Sequence, residues 1–240
     1  MNVEHVFNYI LNHKTVIIPI CFVVVFILVG TLAWYFSAKQ KVKRILTKLT
    51  DKKIISLKSN QFSRITGKTI SINEPFLAPL SKRKCVFYQI IIEQETGDED
   101  SSSWKTLIEE ERFQEFLLEQ NGEYALVELQ QYPQNFLCHV VVDKKTTSGS
   151  FKKPSPKFEE LLRHYNIKST GFFGFNKQLR YKEAIIEIGE KITVAGRVQH
   201  KAIDFKIPDY NYSKIVALQS TEKQKIIITD LPNIASKKRL

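Results

Sequence analysis

TVIIPICFVVVFILVGTLAWYF, residues Thr15–Phe36, is a run of 22 residues with no Asp, Glu, Lys, Arg or His. At about 1.5 Å per residue, a helix of that length covers roughly 33 Å, enough to cross a hydrocarbon core about 30 Å thick. Pro19 falls in the first turns, where a lost backbone bond is best tolerated, and Trp34 and Tyr35 stand at the far end, where amphipathic rings favour the headgroup layer. A soluble-core helix rarely stays apolar on every face for so long, so the stretch reads as a transmembrane helix. A signal-peptide reading fits less well. Its apolar region runs about 7–15 residues behind a basic segment, whereas Met1–Lys14 holds Lys14 as its sole Lys or Arg. Bulky Ile20 before Cys21 argues against lipoprotein cleavage, and Thr31-Leu32-Ala33 lies inside the apolar run. The expected organisation is a short segment at 1–14, the span at 15–36, a basic amphipathic juxtamembrane linker at 37–61, a β-rich domain at 62–233 and a basic tail at 234–240.

Charge orients this arrangement. The net +11 is not spread over the chain: Ser37–Thr66 carries nine Lys or Arg against Asp51 alone, whereas Gly67–Ser236 balances 23 basic with 23 acidic residues. A nucleic-acid module would carry its basic stripe on the folded body, among aromatics that stack bases, so no nucleic-acid partner is expected. Positive charge beside a span instead meets anionic headgroups and marks the cytoplasmic side, which places the C-terminal domain in the cytoplasm. The expected membrane-surface residues are Lys39, Lys41, Lys43, Arg44, Lys48, Lys52 and Lys53, with Trp34 and Tyr35 as interface anchors. Ser37–Lys53 reads as a helix with Val42, Ile45, Leu46 and Leu49 on one face. It could continue the span, lie on the bilayer or form a solvated linker.

Beyond Phe62 the texture turns to β. Val86–Glu93, VFYQIIIE, is rich in β-branched and aromatic residues, and Asn121-Gly122 is a strong hairpin signal before Tyr124–Leu129. Phe136–Val142, Leu179–Ile188, Lys191–Val198, Ile215–Gln219 and Lys225–Thr229 also read as strands, with a turn at Gly189-Glu190. Ser155–Ile167 reads as the one soluble helix, with Ser155 as N-cap, Pro156 at the first position and Phe158, Leu161, Leu162 and Tyr165 as its apolar stripe. The Gly171–Phe175 aromatic loop reads as a core plug in preference to a membrane-contacting lip, and Glu109-Glu110-Glu111 as solvated surface. The fold class is mainly β, a β-rich α+β domain with one inserted helix, tethered by a single N-terminal transmembrane helix.

Three stretches together resemble the GIDE domain, found in MULAN-type mitochondrial RING ubiquitin ligases and in uncharacterised bacterial membrane proteins. They are PFLAPLSKRKCVFYQIIIE at Pro75–Glu93, with Leu80, Cys85, Val86 and Tyr88 on the family pattern; Trp104 with the FQEFLLEQNGEYALV hairpin; and LRYKEAIIEIGEKITVAGRV at Leu179–Val198, with Glu183, Gly189 and Gly196 on its frame. The resemblance covers about Phe62 to Val198 and is closest to bacterial relatives, implying a bacterial cell membrane. A RING needs two Zn²⁺ sites of four Cys/His ligands each. Only Cys85 and Cys138 lie outside the span, neither in a CxxC, so ligase activity of that type is not expected.

No phosphate loop, nucleophile elbow, dinucleotide fingerprint or HExxH motif occurs, and Cys138 with His139 would point to opposite strand faces. No catalytic residue, cofactor or metal ligand is assigned. The expected function is a non-catalytic module facing the cytoplasm, binding an unidentified protein partner and/or the anionic headgroups of the lipid bilayer. The alternative is a membrane-bound hydrolase or transferase with a dispersed site, such as Cys85 with His164 or His200.

Overall fold

A computed structural model of the protein describes residues 14–97, 102–130, 133–171, 174–203, 205, 207, 210 and 212–235. The apolar stretch forms helix α1 (Lys14–Phe36). Ile18–Phe36 has no residue buried against the rest of the chain, which removes the soluble-core reading and leaves, among the described residues, one helix long and apolar enough to cross a membrane. Helix α2 (Ala38–Thr47) follows, then a short 3₁₀ turn at Ile54–Ser56.

The long strand β10 (Lys191–Ala202) organises the barrel. On one edge it pairs with β1 (Phe62–Ser71), from Phe62↔Arg197 to Lys68↔Lys191. Its other edge pairs with β11 (Lys214–Gln219) from Arg197↔Gln219 to Ala202↔Lys214. Strand β1 continues against β5 (Phe116–Gln120), β5 turns into β6 (Glu123–Val127), and β6 lies parallel to β11, so β1-β5-β6-β11-β10 closes on itself. Asn121 (φ 56) and Gly122 (φ 81) both occupy the left-handed region that a two-residue type I′ turn demands. Strand β12 (Ile226–Thr229) pairs with Thr193–Ala195 of β10, and β7 (Phe136–His139) lies parallel to β12.

Side-chain alternation shows why these runs are apolar on both faces. Ile65, Leu118, Val127, Val194, Val198 and Leu218 point into the barrel. Their neighbours Leu117, Leu126, Ile215 and Ala217 pack outside with Ile203, Phe205 and Ile207, while Ala195 and Ile227 face α2.

A second sheet is open. Strand β3 (Lys84–Thr96) pairs with β2 (Phe76–Leu77) and β4 (Ser103–Phe113) on one edge and β9 (Leu179–Glu187) on the other, and β8 (Val142–Ser148) lies beyond β9. Helix α3 (Pro156–His164) covers one face with Phe158, Leu161 and Leu162; Ser155 caps it by accepting the Phe158 amide at 3.3 Å. Val86, Phe87 and Ile186 reach the barrel's core and weld the two sheets. A four-residue helix α4 (Pro232–Ala235) closes the described chain. The fold is therefore β-rich, with an N-terminal apolar helix and a helix inserted later.

Several sequence expectations change. The helix expected over Ser37–Lys53 ends at Thr47, because the Lys48 and Leu49 amides bond back to Ile45 and Leu46 carbonyls. Within residues 37–61, Val42, Leu46, Ile54 and Leu57 are buried in two apolar clusters, so this segment packs on the domain rather than being solvated throughout. Phe175 is 69% exposed and plugs no core, and Phe172 and Phe173 lie outside the described residues. The polar run Val142–Ser148 forms an exposed edge strand beyond the expected Phe136–Val142 strand, which itself ends at His139. The basic tail beyond Ala235 also lies outside the described residues.

Candidate functional site

The chain turns sharply where α1 ends. Ser37 has ψ 150, outside the helical region; its hydroxyl donates to the Trp34 carbonyl at 2.8 Å and accepts the Gln40 amide at 3.4 Å. That cap lets α2 leave the axis of α1 and lie along the barrel. Val42 and Leu46 are both 0% exposed, packed on Ala195, Ile227 and Ile234. The amphipathic stripe thus splits: Val42 and Leu46 are taken by the barrel, and Ile45 alone stays substantially exposed.

Arg64 of β1 fixes this placement. Buried to 6% exposure, its guanidinium donates to the Leu46 carbonyl at 3.0 Å and to the Ile234 carbonyl, with Asp51 at 3.9 Å. Burial raises the Asp51 pKa, opposed by the Thr66 hydroxyl and by the charges of Arg64 and Lys191. The backbone near Asp51 is held too, since the Lys52 amide donates to the Arg64 carbonyl at 2.9 Å.

The expected surface residues occupy different places around α2. Lys39, Lys41, Lys43, Lys48 and Lys53 are exposed, and Arg44 and Lys52 half-buried. Lys52 Nζ donates to Gln61 at 3.0 Å, and Lys39 lies near His139, whose pKa is lowered by burial and then by that lysine. Lys41, Arg44 and Lys48 instead converge on a cavity of about 440 Å³ whose apolar walls are Ile45, Leu49, Phe62 and Leu137. Tyr35 from the end of α1 completes the rim, with the Arg44 guanidinium 3.9 Å above its ring. Trp34 and Tyr35 are 63% and 49% exposed.

The residues named for the dispersed-site alternative each have other partners. Cys85 is buried, its thiol donating to the Phe76 carbonyl at 3.7 Å, and burial pushes its pKa up to about 12. His200 Nδ1 pairs with Ser59 at 2.7 Å on the barrel, and His164 packs edge-on against Tyr165. Cys138 lies against the barrel core, its pKa raised by burial and by Glu111 and Asp230. High thiol pKa values are the reverse of nucleophile activation. Among the described residues no group of three His, Cys, Asp or Glu is placed to hold a metal ion.

Sequence reasoning missed two polar knots. Glu183, 0% exposed, accepts the Leu80 amide at 2.9 Å, the Ser81 amide at 3.2 Å and the Tyr181 hydroxyl at 2.7 Å. Glu110 accepts Tyr88 OH at 2.7 Å and Tyr165 OH at 2.6 Å, with Arg112 at 3.0 Å, so it is not simply solvated surface. Burial raises the Glu110 pKa, but the two tyrosines and Arg112 outweigh it and the net shift is downward. Period 2 was the available signal: Glu110 shares a face with Ile90, its partner across β3 and β4. These carboxylates are satisfied by their own fold, so they read as structure.

The family model GIDE, described as an E3 ubiquitin ligase, matches residues 88–228. The match starts at Tyr88, after the leader and Cys85, and runs past Val198 through β11 into β12, so it takes in both sheets. No curated protein and no solved structure matches the chain. The matched residues make up more than half of the sequence, and the chain belongs to the GIDE family.

Proposed function

We propose that the protein is a membrane-anchored, non-catalytic module that holds a β-rich domain against the cytoplasmic membrane face, contacts anionic headgroups and presents the domain to a protein partner. The observation that carries this reading is the docking of α2. Its apolar side is buried on the barrel through Val42 and Leu46, so its cations are fixed on the domain beside the end of α1. The span is an uncleaved anchor in this reading, supported by the Tyr35–Arg44 stacking that ties its end to α2. Positive charge following the span supports the cytoplasmic orientation. The word ligase in the family description is not carried over: Cys85 and Cys138, the cysteines outside the span, serve separate apolar clusters rather than a four-ligand zinc site.

A chain starting at Ser37 should bind vesicles containing anionic phospholipid, release them as salt rises, and ignore pure phosphatidylcholine. Reversing Lys41, Lys43, Arg44 and Lys48 to Glu should abolish the binding, since each cation near the surface contributes up to about 1 kcal/mol. Equal binding to neutral and anionic vesicles would overturn the headgroup contact. Protease added outside intact cells should leave the domain uncut.

A further inference from the structure

The headgroup contact proposed above treats the basic residues as a diffuse collar, but the geometry singles out three of them. Lys41, Arg44 and Lys48 line one cavity, and no described residue lining it is acidic. None of the three takes part in an ion pair with a described carboxylate, although the chain forms such pairs elsewhere, at Arg83, Arg180 and Lys201. Three unpaired cations converging on one opening leave repulsion that a bound anion would relieve. The Arg44 guanidinium carbon is 3.9 Å from the centre of the Tyr35 ring, and a guanidinium presents its donors as the planar fork that matches phosphate oxygens. A free anion would need only this charge. The opposite walls, Phe62 and Leu137, are hydrocarbon, and the cavity opens where the apolar helix ends.

We propose that this cavity is a binding site for one anionic phospholipid of the surrounding leaflet. Arg44 and Lys48 hold its phosphate, Lys41 supplements the charge, and the upper acyl chain or glycerol lies on Phe62 and Leu137. The inference rests on the anchored reading and deepens it: the domain is docked on a bound lipid as well as drawn to a charged surface.

The test uses the full chain in nanodiscs of phosphatidylcholine with phosphatidylglycerol, ejected into a native mass spectrometer. One phosphatidylglycerol should remain bound. Arg44→Gln with Lys48→Gln should weaken its retention about fivefold per residue, whereas Lys39→Gln with Lys43→Gln should leave it nearly unchanged. The second pair removes the same charge closer in sequence to the span, so a diffuse collar predicts at least equal loss from it. Equal loss from both pairs, or no retained lipid in the wild type, overturns the site. Displacement of the lipid by excess inorganic phosphate overturns the lipid assignment. Lys48→Gln alone, with its melting temperature recorded, guards against misfolding of the double variant. Salt-dependent vesicle binding measured in parallel separates the two readings: its persistence without a retained lipid removes the site and leaves the anchored module standing, whereas its loss in the wild type removes both.

Discussion

Inside the barrel, Ile65, Leu118, Val127, Val194 and Leu218 meet hydrocarbon on hydrocarbon, whereas the covered face of the open sheet holds two carboxylates among its apolar side chains. Closure explains the difference. Each of the five strands in the ring has a partner on both edges, so register is fixed by backbone bonds and the interior needs only shape. The open sheet has no such constraint. It must locate the helix α3 and the Ala78–Ser81 turn on its surface, and it does so with directional bonds. Glu183 grips the turn through two amides, and Glu110 joins Tyr88 of the sheet to Tyr165 at the end of α3. Apolar packing supplies stability in both regions; the open sheet sets its polar pins among the side chains of its covered face, whereas the barrel's pin, Arg64, bonds to α2 and α4 packed against the barrel.

The contrast can be broken at Glu183 first. Glu183→Ala would leave two amides and a hydroxyl without an acceptor, at a cost of about 3–5 kcal/mol, read as a lowered melting temperature of the full chain in detergent. A loss below about 1 kcal/mol would show that the pin is ornamental. In the barrel the sensitive point is steric. A Cβ at Gly67 would come within 2.7 Å of the Glu119 carbonyl oxygen on the neighbouring strand, so Gly67→Ala should cost about 1–3 kcal/mol through strand separation. Glu110→Gln keeps the size of the side chain and weakens its charge-assisted bonds; about 1–2 kcal/mol is expected, with faster hydrogen exchange confined to α3.

The smallest effect sharpens the boundary between the regions. Burial pushes Glu190 up to about 7 and Asp230 up to about 6, and Asp143 lies near both. Glu190 also feels Asp230 and Glu187, with Arg83 bridging Asp143 and Glu187. A carboxyl whose folded pKa exceeds its unfolded value stabilises when protonated, and that contribution is lost as pH rises through the folded value. Stability should therefore fall from about pH 4, the unfolded values, to about pH 7, by about 1 kcal/mol after discounting for solvent screening, or about 2–4 °C. Glu190→Gln should flatten most of that slope. A flat profile would place these carboxyls in open water, and a slope of the opposite sign would mean that the fold favours their ionised form.

How much of this was legible follows from the same physics. Tyr124–Val127 and Ile226–Thr229 announced strands because each is apolar on consecutive positions, with partners on both faces. The turn at Gly189 was also legible, and its φ of 82 bears that reading out. That its two flanking strands part into different sheets was not, since a turn carries no record of what each strand pairs with. Val142–Ser148 was missed because an exposed edge has no apolar face to betray it. The stripe Val42, Leu46 was visible at helical spacing, but its partners Ala195 and Ile227 lie far away in sequence. For the cavity, spacing revealed cations without revealing which of them converge.

Under the anchored reading proposed above, Arg64 takes on a mechanical meaning. One guanidinium holds the last turn of α2 and the α4 turn to the first barrel strand, with Arg64 and Ile234 170 positions apart in the chain. Tension arriving through α1 passes around Ser37 into α2. There it is carried as shear across Leu46, Val42 and the Arg64 bonds, and ends in β1, which is hydrogen-bonded on both edges. The load path thus avoids the open sheet altogether. A partner pulling on the domain from the open-sheet side would strain α3 and its pins before it disturbed the mooring.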